Sequence, residues 1–144
     1  MPLASLPAPS FALEPVTPQQ YGVLREELLR PVPHIAYPLD ALTYQAGCCA
    51  LSGGGLYAAH TPHGTAVLCA EGMEDGSLLL KELLGTPSAQ DALLAALPVL
   101  LPTFSGIYRG VGNEIPFGML KLLSNRDESG WDWSLRSYLG LAFD

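Results

Sequence analysis

At Leu56 the hydrophobic period of the chain changes to two, and it keeps that period through Leu84. "LYAAH", the turn "TPHG", "TAVLCAE", the turn "GMEDG" and "SLLLKELL" follow one another without a break. A residue period of two places successive side chains on opposite faces of an extended chain. Short Gly-, Pro- and Asp-containing turns between such runs make hairpins. The stretch therefore predicts three consecutive antiparallel strands. A sheet of this kind has to bury its faces, so the covering helices must come from the flanks.

On the N-terminal flank, "FALEPV" (Phe11–Val16) reads as a short strand and Thr17-Pro18 as a helix start. Threonine is a good N-cap, and proline at the first helical position lacks an N–H that would have no partner there anyway. Tyr21, Leu24 and Leu28 recur at helical spacing up to Arg30, where "PVPHIAYP" breaks the pattern. A second helix is expected from about Leu39 to Ala50, with Leu39, Leu42 and Ala46 along one side and Gly53-Gly54-Gly55 at its end. "SGGGLY" precedes a strand, whereas phosphate loops precede a helix, so it reads as a connector.

After the hairpins, "GTPSAQDALLAAL" turns into a helix, with Ser88 and Asp91 spaced like a capping box. Pro98 would clash with the carbonyl four residues back, so the helix should end or kink near it. "FSGIYR" is the next strand. "PFGMLKLL" and "YLGLAF" flank the polar loop "SNRDESGWDWSLRS", and the terminal "YLGLAFD" is expected to be an interior or partner-covered strand. The order is strand, two helices, three antiparallel strands, helix, further strands. It predicts an α+β fold with a mixed, mainly antiparallel sheet. Residues 1–10 read as an extended tail and residues 11–144 as a single domain, long enough to build a core.

Charge excludes one class of partner. The formal net charge is −7, and the seven basic residues are scattered from Arg25 to Arg136. Neutralising nucleic-acid phosphates needs clustered Lys and Arg. No stretch approaches the roughly 18 apolar residues of a membrane span, and the N-terminus lacks the basic-then-apolar pattern of a signal peptide. Three cysteines, two of them adjacent (Cys48, Cys49), make neither a disulfide framework nor a zinc pattern. They read as reduced, buried thiols of a cytoplasmic protein, with no basic neighbour in sequence to lower a thiol pKa. His60 and His63 lie in a polar hairpin turn without a third metal ligand nearby, and His34, between prolines, carries no signal. No metal site is expected. Trp131 and Trp133 in "GWDWSL" share one face of an extended segment. They are candidates for contact with a partner or small ligand, beside the plainer reading of a loop folded over the core.

The element order, together with "KELLGTPSAQDALLAAL" and the ending "PFGMLKLL"…"YLGLAFD", resembles the GNAT acyltransferase superfamily. The ending resembles the second half of longer two-part bacterial GNAT proteins, whose second domain is GNAT-like without a functional cofactor site. The resemblance covers roughly Phe11 to Asp144. The family's pyrophosphate loop follows Q/R-x-x-G-x-G/A, in which glycine lets backbone N–H groups approach the phosphates. Laid on "QDALLA", Gln90 takes the first position and Ala95 the last, but Leu93 occupies the glycine position and Asp91 adds a repelling charge. The resemblance thus implies a degenerate domain that binds no cofactor and serves as an interaction or small-ligand-binding module. The alternative is an acetyl-coenzyme A-dependent N-acyltransferase with a divergent loop.

Two weak catalytic candidates come with the family. Glu82 lies where some members keep a general base, although a solvated or ion-paired strand-end glutamate beside Lys81 explains it better. Tyr108 follows the crossover helix, nearer the chain start than the family's catalytic tyrosine, and reads as structural. In the longer proteins such a domain packs on another GNAT-like domain. With charged residues at only 15%, against roughly 25% in ordinary soluble domains, a homodimer or pairing with a GNAT domain is expected.

Overall fold

Thr17 starts the first helix as its chemistry dictates. Its hydroxyl accepts from Gln20 N at 3.1 Å while the Gln20 side chain accepts from Thr17 N at 2.9 Å, a complete capping box ahead of Pro18. A computed structural model describes residues 9–101, 131, 132 and 138, and residues 106–108 as backbone alone. The elements run β1 (Leu13–Pro15), α1 (Pro18–Leu29), α2 (Leu39–Leu51), β2 (Gly55–Thr61), β3 (Gly64–Gly72), β4 (Leu78–Leu84), α3 (Pro87–Leu100) and β5 (Gly106–Tyr108). The sheet order is β1-β2-β3-β4-β5. The first three pairings are antiparallel, and β4 and β5 are parallel across α3. The architecture is α+β, with the strand and helix order expected from the sequence. The tail 1–8, "PFGMLKLL", Trp133 and all of "YLGLAFD" except Tyr138 lie outside the described residues.

The period of two distributes the strand side chains between two layers. On one face Leu56, Ala58, Val67, Cys69 and Leu84 pack with Tyr21 and Leu29 of α1 and Leu42 and Cys49 of α2. On the other, Ala59, Ala66, Leu68, Ala70, Leu80 and Leu83 pack with Ala89, Leu93 and Leu97 of α3. The connection from α2 into the sheet depends on glycine. A Cβ at Gly54 would lie 1.9 Å from the Ala70 carbonyl oxygen, and one at Gly72 would lie 1.8 Å from that of Ser52.

Two local features depart from expectation. The cap of α3 is Thr86, whose hydroxyl accepts from Ala89 N at 3.2 Å, and not a Ser88–Asp91 box. Thr86-Pro87 repeats the Thr-Pro signal that opens α1, with the proline at the first helical position in both. In the hairpin of β3 and β4, Cys69 pairs with Glu82 but Ala70 pairs with Leu80, so Lys81 is an extra residue. This β-bulge turns two consecutive side chains toward the same layer. Glu82 reaches Tyr21 and Arg25 of α1, and Lys81 reaches Gln45 of α2. As expected, α3 stops just beyond Pro98, at Leu100. Among the described residues no helix is long and apolar enough to cross a membrane.

Candidate functional site

Tyr21, Arg25 and Leu29 follow one another at intervals of four residues, so one buried stripe of α1 carries an arginine to the sheet. Opposite it, the bulge presents Glu82, and both side chains are essentially inaccessible to water. Arg25 Nε donates to Glu82 Oε1 at 3.1 Å and Oε2 at 3.2 Å. The Tyr21 hydroxyl donates to Oε1 at 2.7 Å and the Tyr138 hydroxyl to Oε2 at 2.8 Å. Arg25 Nη1 donates to the Ile35 carbonyl at 2.8 Å, and the guanidinium lies 4.6 Å from the centre of the Tyr37 ring. Arg25 Nη2 has no hydrogen-bond partner among the described residues. Burial, reinforced by the Glu82 carboxylate, pushes the Tyr21 hydroxyl well above the ordinary tyrosine range, and Tyr138 shifts up for the same reasons. Both therefore stay neutral donors to one carboxylate.

This corrects one of the two sequence readings of Glu82: it is ion-paired but not solvated, and its partner is Arg25. The neighbouring Lys81 pairs instead with Glu71 at 3.1 Å. A general base must reach the proton it removes. Here both carboxylate oxygens are occupied by donors and water is excluded, so in this conformation Glu82 ties α1, β4 and Tyr138 together.

The loop between α1 and α2 wraps over this network. Residues 131, 132 and 138 run beside it: Asp132 N donates to Pro31 O at 2.6 Å, Tyr138 N to Pro33 O at 2.8 Å, and Ile35 N to Tyr138 O at 3.4 Å. Above them opens a groove of about 820 Å³. Val23 and Leu39 give it apolar walls, Tyr37 and Trp131 aromatic ones, and Glu26 and His34 a polar edge. His34 Nδ1 faces the Val32 carbonyl at 2.6 Å and Nε2 faces Glu26 Oε2 at 2.9 Å. The Trp131 ring sits 5.9 Å from His34, tilted by 45°. Gly22 forms part of the lining and allows α2 to come close, since a Cβ there would lie 3.0 Å from Leu42 Cδ1.

The remaining sequence candidates are not gathered at this site. Gln90, Asp91, Leu93 and Ala95 stand within α3 and not in a loop, split between its two faces. Leu93 is fully buried, whereas Asp91 and Ala95 are exposed. The Gln90 side chain donates to the Gly85 carbonyl at 2.9 Å. Tyr108 lies in register with Leu80, its side chain outside the described residues. His60 Nδ1 meets the Thr65 hydroxyl at 3.1 Å in the hairpin, and among the described residues no group of His, Cys, Asp and Glu could hold a metal ion. Cys49 and Cys69 are buried, as expected, but the bulge also brings a basic group near them: the hydrogen bond with Cys69, and to a lesser degree the Lys81 ammonium, lower the Cys49 thiol pKa.

Sequence reasoning missed Arg25, Tyr21, Tyr37, His34 and Tyr138 as a group. The available signal was a lone arginine inside the apolar stripe of α1. No protein-family model matches the chain, and no curated protein or solved structure matches it.

Proposed function

We propose that the chain is a degenerate GNAT-like domain that binds no acetyl-coenzyme A and uses the groove beside α1 to hold a small ligand. The start of α3 carries this reading. Anion sites at helix N-termini are built from free backbone N–H groups. Here Pro87 has none, Ala89 N donates to the Thr86 hydroxyl, and Gln90 N donates to the Thr86 carbonyl at 2.9 Å. A pyrophosphate would find too few donors. Glu82, the other residue that acetyl transfer would draw on, is enclosed by donors from Tyr21, Arg25 and Tyr138.

The groove supports the binding half of the proposal. Pockets for small molecules are mostly apolar, with a few placed polar groups. Val23 and Leu39 are 57% and 53% exposed there, and Glu26, Glu27, His34 and Arg30 are the charged or titratable groups that line it. Glu26 is already held by His34 at 2.9 Å, so Glu27, over the apolar and aromatic walls, is the carboxylate that suits an amphipathic amine. In the same reading the exposed Tyr44 and Leu51 of α2 contribute to self-association as a homodimer or to pairing with a GNAT domain. Light scattering should then give about twice the 15.3 kDa monomer mass.

Isothermal titration with acetyl-coenzyme A tests the reading. No binding heat is expected, and a micromolar dissociation constant would overturn it. The rival reading, an acetyl-coenzyme A-dependent N-acyltransferase, is favoured by one observation. The β4–α3–β5 crossover is parallel, and parallel crossovers commonly place ligands at the carboxyl ends of their strands. Release of free coenzyme A thiol on adding an amine acceptor would select it.

A further inference from the structure

We propose that Cys49 and Cys69 form a dithiol site that hydrogen peroxide converts into an intramolecular disulfide joining α2 to β3. The two Sγ atoms are 3.5 Å apart, close enough to bond after small side-chain rotations, and both residues are fully buried. Cys48, the third thiol, is only partly buried.

A contact between buried thiols is ordinarily packing alone, and buried cysteines are usually inert. Two observations separate this pair from that case. The bulge adds the Lys81 ammonium to its surroundings. The hydrogen bond with Cys69, and then the Lys81 charge, hold the Cys49 thiol below its ordinary range against the opposing effects of burial and of the Glu71 carboxylate that pairs with Lys81. The hydrogen bond to Cys49, followed by burial, pushes Cys69 up. In addition, Cys49 sits in the last turn of α2, two residues before the 92% exposed Leu51, with Gly53 and Gly54 beyond it. Helix ends open locally at low cost, which gives a small oxidant a route in.

The chemistry balances without any group the chain lacks. The Cys49 thiolate attacks a peroxide oxygen, the O–O bond breaks, and the products are the Cys49 sulfenic acid and hydroxide, which takes up the proton the thiol released. Cys69 sulfur then attacks Cys49 sulfur, the S–O bond breaks, and the Cys69 proton leaves with the hydroxyl as water. In total two thiols and one peroxide give one disulfide and two waters. The bond would pin the C-terminal turn of α2 to the sheet, and the other end of α2 supplies Leu39 and Leu42 to the groove.

The test exposes the native full chain to hydrogen peroxide, alkylates the remaining thiols in denaturant, and maps unreduced peptides by mass. Two of the three thiols should be lost, Cys49 and Cys69 should appear in one cross-linked peptide pair, and dithiothreitol should restore all three. Cys48→Ser should give the same cross-link. In Cys69→Ser, dimedone should trap a sulfenic acid at Cys49, whereas Cys49→Ser should show none at Cys69. The proposal is overturned if all three thiols survive a dose that oxidises the denatured chain. It is equally overturned if Cys48 enters the cross-link, if the bond joins two chains, or if Cys49 proceeds to sulfinic acid while Cys69 stays free.

Discussion

On the α3 side of the sheet, Ala89, Leu93 and Leu97 meet alanines and leucines of β2, β3 and β4, whereas the buried charged side chains among the described residues, Arg25, Lys81 and Glu82, all lie on the other side. On the α1–α2 side the same strands carry Glu82 to Arg25, Tyr21 and Tyr138, Lys81 to Gln45 and Glu71, and Cys69 to Cys49. Both sides exclude water, but by different means. The α3 layer holds through area and fit, which are non-directional. The α1–α2 layer adds bonds of fixed direction whose partners must all be present, because a buried polar group without one is costly. A layer of the first kind is sensitive to lost volume but offers no polar group for chemistry. The second kind fixes the loop that frames the groove, so the functional reading places the binding site there.

The largest expected effect comes from breaking the polar layer on one side only. Glu82→Ala leaves Arg25 buried without its counter-charge and should cost about 3–5 kcal/mol in urea unfolding. Replacing both partners by apolar groups, Arg25→Met with Glu82→Leu, should recover most of that loss. A double variant as unstable as the single one would mean that the pair contributes net stability, and the contrast between the layers would narrow. The matching probe in the apolar layer is Leu93→Ala, expected to cost about 2–5 kcal/mol through the cavity it leaves. It should not create acetyl-coenzyme A binding, since Leu93 faces the core and blocks no phosphate turn.

Tyr138→Phe is a smaller change, which removes one hydrogen bond to the buried carboxylate. A loss of about 1.5–3 kcal/mol is expected, together with weaker ligand binding in the groove as Tyr138 loosens from the Pro33 and Ile35 backbone. An unchanged melting temperature would separate Tyr138 from the network. The smallest effect concerns pH. Tyr21 and Tyr138 hold their protons above the ordinary tyrosine range, whereas the unfolded chain releases them near pH 10. Above about pH 10 the unfolded state therefore binds fewer protons than the folded one, so stability falls as pH rises, and below that value the contribution is fully present. Tyr21→Phe should flatten this alkaline decline, as read from melting temperatures across the alkaline range.

The strands and the start of α1 were legible in the sequence because their signals are local. Period two from Leu56 to Leu84 predicted the hairpins, and Thr17-Pro18 predicted the start of α1. Thr86-Pro87 repeats that signal at the start of α3, where Ser88 and Asp91 merely share the spacing of a capping box. The polar layer was not legible, because its partners meet only in the folded chain. Arg25 and Glu82 lie 57 positions apart, and a bulge that turns Lys81 and Glu82 toward the same layer leaves no mark in "LLLKELL". Gln90 to Ala95 matched a loop pattern in letters. Helix geometry then sent Leu93 inward and Asp91 and Ala95 outward, so these residues do not share one face.

Amide shift mapping on the isotope-labelled protein tests most directly which layer carries the site. Acetyl-coenzyme A and an aryl-alkylamine are added separately, and backbone amide resonances are followed for each. The account predicts that the amine moves Gly22, Val23, Glu26 and His34 around the groove and that acetyl-coenzyme A moves nothing between Gly85 and Gln90. Saturable shifts at Gly85, Thr86 and Ser88 with acetyl-coenzyme A, and none in the groove with the amine, would contradict it.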